Sequence, residues 1–445
     1  MSDTSSMAKG WKINLLLLLT LIVVAVVLWW LEYRDARHVQ EEKASRAIST
    51  MTPKAVTRVQ FWRPEAEKGK EGTTWTILPQ GIGPDGRGEP NGHWQITAPE
   101  PIRTRDAAVN QLLGVLGESY DQKVADTVAD SAQFGLDKPM AVLTVQDGGG
   151  HTLQLSVGQS APASKKQYLQ IGVDGPVVLL SAKAVGGLLQ NLEDLRDKTL
   201  FANQVTPSIQ RIIRERPNER MVLERGPDKP WQLVAPMVDL AAENRVEGWL
   251  NALMQANGSG FVALKAEEAF QTAKPDWTFV LETEKGGKET VRIQRKEANL
   301  LAWREGEPDA MVLDMYLAEE LDRAAMELVA LRPLGNHDAP VKLQVTHQDK
   351  TLTTAKKDGQ WPKPVWAGVE EIVTRDAGRA VKPKSHGEAW LTIIAFQEKE
   401  QWVIPFWKEG ETITLAPPNR PVELELSHYQ AEAFMDTVKA LFPSE

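Results

Sequence analysis

The sequence predicts an α+β protein in which an N-terminal transmembrane helix is followed by three tandem modules of mostly antiparallel sheet with packed helices. Three observations predict it: one apolar run long enough to cross a bilayer, a short motif that recurs at a fixed offset, and β-rich runs alternating with helical stripes. The 445 residues, 42% hydrophobic and 25% charged, allow several cores and exclude a wholly disordered, collagenous or multi-span chain. With 51 Lys and Arg against 60 Asp and Glu, the net charge of -9 gives no cationic field for nucleic acid. There are no cysteines, which removes disulfides, cysteine-ligated zinc, iron-sulfur clusters and thiol catalysis.

The first element is the run from Ile13 to Leu31, INLLLLLTLIVVAVVLWWL, whose polar members are Asn14 and Thr20. At 1.5 Å per residue it spans about 28 Å, one bilayer crossing. A cleaved signal peptide has a shorter apolar region followed by small residues, whereas Trp29, Trp30 and Tyr33 stand at this exit. The run therefore reads as a retained signal-anchor with an aromatic end at the headgroup layer. Lys9 and Lys12 precede it and Arg34, Arg37, Lys43 and Arg46 follow, a count that by itself keeps the body inside. Long domains cross largely regardless of charge, and the reading adopted places the bulk outside. Residues 32–50, charged and free of Gly and Pro, read as a helical stalk after a short tail over 1–12.

Self-comparison organises the rest. Trp94-Gln-Ile-Thr-Ala-Pro99 recurs as Trp231-Gln-Leu-Val-Ala-Pro236, and each copy leads into a helix with one apolar stripe: Val109, Leu112, Leu113, Leu116, then Val246, Trp249, Leu250, Leu253. Phe134-Gly-Leu-Asp-Lys-Pro139 aligns with Phe270-Gln-Thr-Ala-Lys-Pro275, and at the same offset Leu195-Arg196 aligns with Leu331-Arg332. After each Lys-Pro come strand-like runs, AVLTVQ, TLQLSVG, YLQIG and VVLL, then TFVLETE, TVRIQR, LLAWRE and AMVLD. A closing helix is expected on Val185, Leu188, Leu189, Leu192 and Leu195, and on Leu317, Leu321, Ala324 and Leu328. The remainder repeats the plan loosely, with VKLQVTH, a Gly359-Gln-Trp361 echo of Gly92-His-Trp94, the strands WLTIIAF, QWVIPFW, TITLAP and VELEL, and a last helix on Ala431, Phe434, Met435, Val438 and Leu441. The modules cover 51–200, 201–335 and, divergently, 336–445.

The N-terminal anchor, FGLDKP at Phe134 to Pro139, Val157-Gly158, Tyr168 and LRDK at Leu195 to Lys198 together resemble a bacterial family known as domain of unknown function 4340. The resemblance covers about Pro53 to Leu334 and is best in the first module. Members of that family are often encoded beside gliding-motility-type ABC transporter components, which implies a transporter-associated role in the envelope. It implies no catalytic residue. In physical terms the shared residues look like construction: Lys-Pro ends a turn and starts a strand, and Leu195 anchors a helix.

A search for chemistry yields little. The seven histidines are scattered, with no His-Glu-x-x-His pair for zinc. His337-Asp338 lies in the Pro333 to Pro340 linker and reads as solvated polar residues. Gly81-Ile-Gly-Pro-Asp-Gly86 has the letters of a dinucleotide loop, but Pro84 and Pro90 forbid the helix that would meet phosphate. No P-loop or nucleophile elbow is present. Trp94, Trp231 and Trp361, at equivalent positions, read as core plugs, whereas Trp390, Trp402, Phe406 and Trp407 form the candidate contact surface.

The expectation is a noncatalytic, single-pass protein of the bacterial inner membrane with its bulk periplasmic. It would have no catalytic, metal or cofactor site, and its partners would be proteins of an ABC-type export or gliding-type complex. Two competitors stand beside it: a glycan- or lipid-binding module using exposed aromatics, and a hydrolase assembled from distant loops.

Overall fold

The computed structural model describes residues 21, 28–30, 33, 43–64, 72–80, 93–127, 130–162, 164–201, 208–227, 229–264, 274–397 and 400–443. The chain divides into two compact units, Met1–Asp197 and Lys198–Glu445. Most of the anchor, including Ile13 and Leu31, lies outside the described residues, as does the Gly81 to Gly86 run. No helix among the described residues is long and apolar enough to cross a membrane. Trp29, Trp30 and Tyr33 are exposed, and the Trp29 and Tyr33 rings stack at 5.7 Å.

The first unit holds a nine-stranded sheet. Its strands are β1 (Val56–Arg63), β2 (Thr73–Pro79), β3 (Trp94–Ala98), β4 (Ile102–Arg103), β5 (Gln122–Ala125), β6 (Ala141–Asp147), β7 (Thr152–Ser160), β8 (Lys166–Ile171) and β9 (Val177–Ser181). All pairings are antiparallel, in the order β4-β3-β2-β1-β6-β7-β8-β9-β5. Strand alternation sets the face: Ala141, Leu143 and Val145 are buried between half-buried neighbours. Helix α1 (Asp106–Leu113) lays Val109 and Leu112 on that face, and its stripe continues through a 3₁₀ turn with Leu116.

The second unit repeats the plan with β10 (Ile209–Arg216), β11 (Glu219–Glu224), β12 (Gln232–Ala235), β13 (Asp239–Leu240), β14 (Gly260–Ala263), β15 (Trp277–Thr283), β16 (Lys288–Lys296), β17 (Asn299–Arg304) and β18 (Asp309–Asp314). Their order, β13-β12-β11-β10-β15-β16-β17-β18-β14, is that of the first sheet strand for strand. The repeated tryptophan strand has a repeated latch. In α1 the first-turn carboxylate of Asp106 accepts the Trp94 backbone N–H at 2.8 Å, and in α2 (Glu243–Gln255) Glu243 accepts that of Trp231 at 3.1 Å. An acid in the first turn also meets the positive end of its helix. Both Ala–Pro bonds that end the motif, Ala98–Pro99 and Ala235–Pro236, are cis.

A third sheet, in the same unit, is formed by β19 (Lys342–His347), β20 (Lys350–Ala355), β21 (Arg379–Val381), β22 (Leu391–Gln397), β23 (Glu400–Glu409), β24 (Thr412–Leu415) and β25 (Glu423–Glu425), in the order β20-β19-β22-β23-β24-β25-β21. It is the same plan without the two strands that correspond to β3 and β4. After α3 (Ala318–Leu321), two longer helices serve this sheet, α4 (Val365–Thr374) and α5 (His428–Leu441). The last is capped by Ser427, whose hydroxyl accepts the Gln430 N–H while Gln430 reaches back to the Ser427 N–H. One continuous core runs from Leu200 to Val438 through the second and third sheets.

Four expectations are corrected. The stalk pattern does not run as helix to Thr50: after Ser45 the chain turns, Ala47 bridges Ser119, and Ile48 is buried in the first core. The closing helices of the first two modules are broken into short turns. In the first, Gly186–Leu189 and Leu192–Leu195 are separated at Gln190 and Asn191, where the Asp194 carboxylate accepts the Asn191 N–H and starts a new turn. In the second, Ala324 is exposed and Ala325 is the buried residue. Leu331-Arg332 is not the counterpart of Leu195-Arg196. The Arg105 N–H binds the Leu195 carbonyl and the Ala242 N–H binds that of Leu328, while Thr104 bridges Arg196 as Ala241 bridges Val329. The true counterpart is Leu328-Val329, three residues earlier, so the matching Leu-Arg letters coincide by chance. Trp361 forms no strand: it is half-buried, with its indole N–H on Glu370 at 2.5 Å.

Candidate functional site

The candidate contact residues fall on β23 and its neighbours, and strand alternation separates them. Trp402, Ile404 and Phe406 point into the core at 6%, 0% and 0% exposure, so two of the four proposed contact residues are packing groups. Trp390 is half-buried against the same core, edge-on to Phe434 at 6.3 Å. Trp407 lies on the opposite face, half-buried, with its indole N–H on the Gly387 carbonyl at 3.2 Å. The four rings form no common exposed face.

Around Trp407 the structure assembles a group with no local signature in the sequence. The His386 ring stacks on Trp407 with centroids 4.1 Å apart and planes at 10°. Its Nε2 stands 2.9 Å from the Glu423 carboxylate, and both side chains are almost wholly buried, 7% and 4% exposed. The other Glu423 oxygen accepts the Lys384 N–H at 2.9 Å. Buried ionisable groups of this kind persist when paired and hydrogen-bonded.

Strand registers show what this group replaces. Phe406 pairs with Leu391 and Leu415 as Val157 pairs with Ala141 and Leu169, which sets Trp407 at the place of Gly158. Likewise Val381 opposes Glu423 as Ala125 opposes Val177. In the first module this place is filled by FGLDKP. Phe134 and Leu136 are buried on Val177, and Phe134 packs on Tyr168 with ring centroids 5.0 Å apart. Gly135 adopts a left-handed φ of 67°, and a Cβ on Gly158 would stand 2.2 Å from the Phe134 carbonyl oxygen. Phe134, Gly135, Leu136, Gly158 and Tyr168 thus form one plug over the sheet, with Asp137 and Lys138 exposed at its rim.

That arrangement accounts for the letters that carry the family resemblance. Residues 94–276 match the family model of the domain of unknown function DUF4340. The DUF4340 match runs from β3 of the first sheet to the start of β15, so it takes the end of one module and the beginning of the next. No curated protein and no solved structure matches the chain.

A second cluster lies at the end of the second sheet, where a cleft of about 540 Å³ is lined by Arg216, Glu219, Asp276, Trp277 and Arg295 among others. Asp322 accepts from the Trp277 indole at 2.9 Å, Arg216 at 3.2 Å and Arg295 at 2.7 Å. The Arg295 guanidinium also covers the Trp277 ring at 4.4 Å. Arg214 is fully buried, bound to the carbonyls of Leu321 (3.2 Å) and Arg323 and to Glu219 at 2.7 Å. Burial pushes its pKa down, and Glu219 opposes that shift. Arg214, Arg216 and Arg295 face Glu219, Asp276 and Asp322, a balance that locks the β10–β11 turn onto the turn after α3.

The remaining candidates are dispersed. His337 is exposed and packs against the Trp402 ring at 4.6 Å, while Asp338 accepts from Gln397 at 3.3 Å, so the two have separate partners. Trp94 and Trp231 are buried plugs at 8% and 0% exposure. Among the described residues no three His, Asp or Glu side chains are grouped to hold a metal ion.

Proposed function

We propose that the chain is a noncatalytic, membrane-anchored envelope protein that serves as an accessory or scaffold subunit of an ABC-type transport or gliding-type complex, with its bulk periplasmic. The observation that carries the reading is the fate of the family-marking letters: Phe134, Gly135, Leu136, Gly158 and Tyr168 are spent on one packed plug. The apolar run from Ile13 to Leu31 supports the anchor, and the DUF4340 match supports the assignment to a class with a transporter-associated setting. Burial of Trp402 and Phe406 weighs against the glycan-stacking alternative.

Crosslinking mass spectrometry in native membranes, followed by co-purification in mild detergent, is the test. Transporter subunits crosslinked to the body are the expected result. Recovery of the lone monomer at every expression level overturns it. A reporter fused after Glu445 reads the topology, and cytoplasmic activity of that reporter excludes the periplasmic placement.

A further inference from the structure

Among the described residues the third sheet stops two strands short of its siblings, and its β20 edge is unpaired. In the first sheet β2 is covered by β3, with Thr76 opposite Ala98, and in the second β11 is covered by β12, with Val222 opposite Ala235. Leu343 pairs with Thr354 and Ala395 as Val59 pairs with Ile77 and Val145, so Thr353 of β20 takes the place of Thr76. Among the described residues no strand pairs with that side of β20. The phase of the ladder is set by the Lys356 N–H on the Val341 carbonyl at 2.8 Å. Alternation from there turns the N–H and C=O groups of Thr351, Thr353 and Ala355 outward, and all three residues are exposed. The segment that would have supplied the covering strand is used otherwise: Lys357 bridges Gln360 in a tight turn and Trp361 is held by Glu370.

We propose that the β20 edge is a docking site for an extended segment of another polypeptide, about four to five residues long with acidic residues at its ends, which adds antiparallel to the third sheet. The length is that of the strands on the sibling edges, Trp94–Ala98 and Gln232–Ala235. The charge follows from β20 itself, which has Lys350 at one end and Lys356 and Lys357 just past the other. Lys356 is already held by Glu370 at 2.7 Å, and Asp349 and Asp358 sit in the flanking turns, off the paired stretch. A second copy of this chain has no charge advantage there: antiparallel self-pairing centred on Thr353 sets Lys350 opposite Lys356, a like-charge opposition, and Lys357 opposite Asp349, which only offsets it. Strand addition draws its affinity from main-chain hydrogen bonds and its selectivity from the flanking side chains.

This inference rests on the scaffold reading, and its test separates the two. Hydrogen exchange of the full chain is compared between native membranes and the purified monomer, with a photo-crosslinking residue in place of Thr353 and, separately, at exposed positions elsewhere. The expected result is exchange at residues 351–355 slowed at least about fivefold in membranes, the effect of roughly one hydrogen bond per outward amide. Crosslinks from position 353 should reach a different polypeptide at an Asp- or Glu-flanked extended segment. Thr351→Pro, combined with the photo-crosslinking residue at 353, removes an outward N–H and leaves the ladder to β19 intact, so it should abolish both signals at an unchanged thermal midpoint; Thr353→Pro, read by hydrogen exchange alone, is the second such block. An unprotected edge that is silent at 353 while other positions still crosslink partners overturns this inference and leaves the scaffold reading standing. Silence at every position overturns the scaffold reading as well. Crosslinks between two isotopically distinct copies at 353 overturn the chosen occupant.

Discussion

Removing one side of the Asp239–Arg420 pair should unfold the second unit selectively. Asp239 lies in β13 of the second sheet and Arg420 in the loop before β25 of the third. The carboxylate is 0% exposed and the guanidinium 7%, joined by bonds of 2.7 and 3.2 Å. Asp239→Leu leaves a buried guanidinium without its counter-charge, a loss of about 3–5 kcal/mol. Arg420→Met costs a similar amount, because Asp239 is then stranded and the carbonyls of Ala330 (2.5 Å) and Arg332 (3.0 Å) lose a donor. The double variant Asp239→Leu with Arg420→Met strands neither charge and should lose about 2 kcal/mol, roughly 1 for each carbonyl. That difference is a coupling energy, readable by a double-mutant cycle. The assay is hydrogen exchange of the full chain in rising urea, resolved by peptide, so that each unit reports its own transition. The first unit has Ile102 at the place of Asp239 and should be unmoved. Single variants within about 1 kcal/mol of the parent, or an equal shift in both units, would refute the reasoning.

Three further outcomes are expected. Gly158→Ala drives a Cβ to 2.2 Å from the Phe134 carbonyl oxygen and should destabilise the first unit by about 1–3 kcal/mol, seen as a lowered thermal midpoint; an unchanged midpoint means the plug is looser than described. Trp402→Ala should cost about 3–5 kcal/mol as a core deletion, against about 1 kcal/mol for Trp407→Ala on the other face, and equal losses in urea titrations would contradict the alternation along β23. The hydrogen bond from His151 holds the Asp147 carboxyl below its ordinary value of 3.8, so the stabilisation at this hairpin is complete above that pH and is lost as pH falls through the lowered folded value. Carboxyl NMR titration should show the Asp147 midpoint rising in His151→Ala, and an unmoved midpoint would exclude His151 as the cause.

Local strands were legible because they alternate: the runs after each Lys-Pro coincide with β6 to β9 and β15 to β18, and WLTIIAF and QWVIPFW lie within or beside β22 and β23. The strands that open the first two modules, β1 and β10, were not legible. β1 joins β2 and β6 across the whole tryptophan strand and α1, and such a pairing leaves no period in the letters between. Its sequence, VTRVQFWR, carries arginines that mask the inward Val59 and Phe61. The aromatic set misled because Trp402, Phe406 and Trp407 were grouped by density, whereas the two-residue period of β23 already assigned Trp402 and Phe406 to one face and Trp407 to the other. His386 and Glu423 stand 37 positions apart, beyond any local spacing rule. Register comparison between copies is the signal that finds them.

The linkers between modules explain why the second and third sheets share a core. Lys198 and Leu200 bond to Gly258 and Ala256 at the end of α2, and Leu331 and Leu334 bond to Ala377 and Val373 at the end of α4. Each linker is then gripped by an arginine from its own module: Arg304 donates to the Thr199 carbonyl at 2.8 Å, and Arg420 to the Arg332 carbonyl at 3.0 Å. The two arginines differ in where their charge is met. Arg304, the last residue of β17, pairs with Glu307, three residues on, at 2.7 Å. Arg420 reaches back to Asp239 in the preceding module, so parting the second and third modules would strip a buried cation of its counter-ion. A clasp neutralised within its own module stiffens that module, whereas one neutralised by a neighbour also fuses the two.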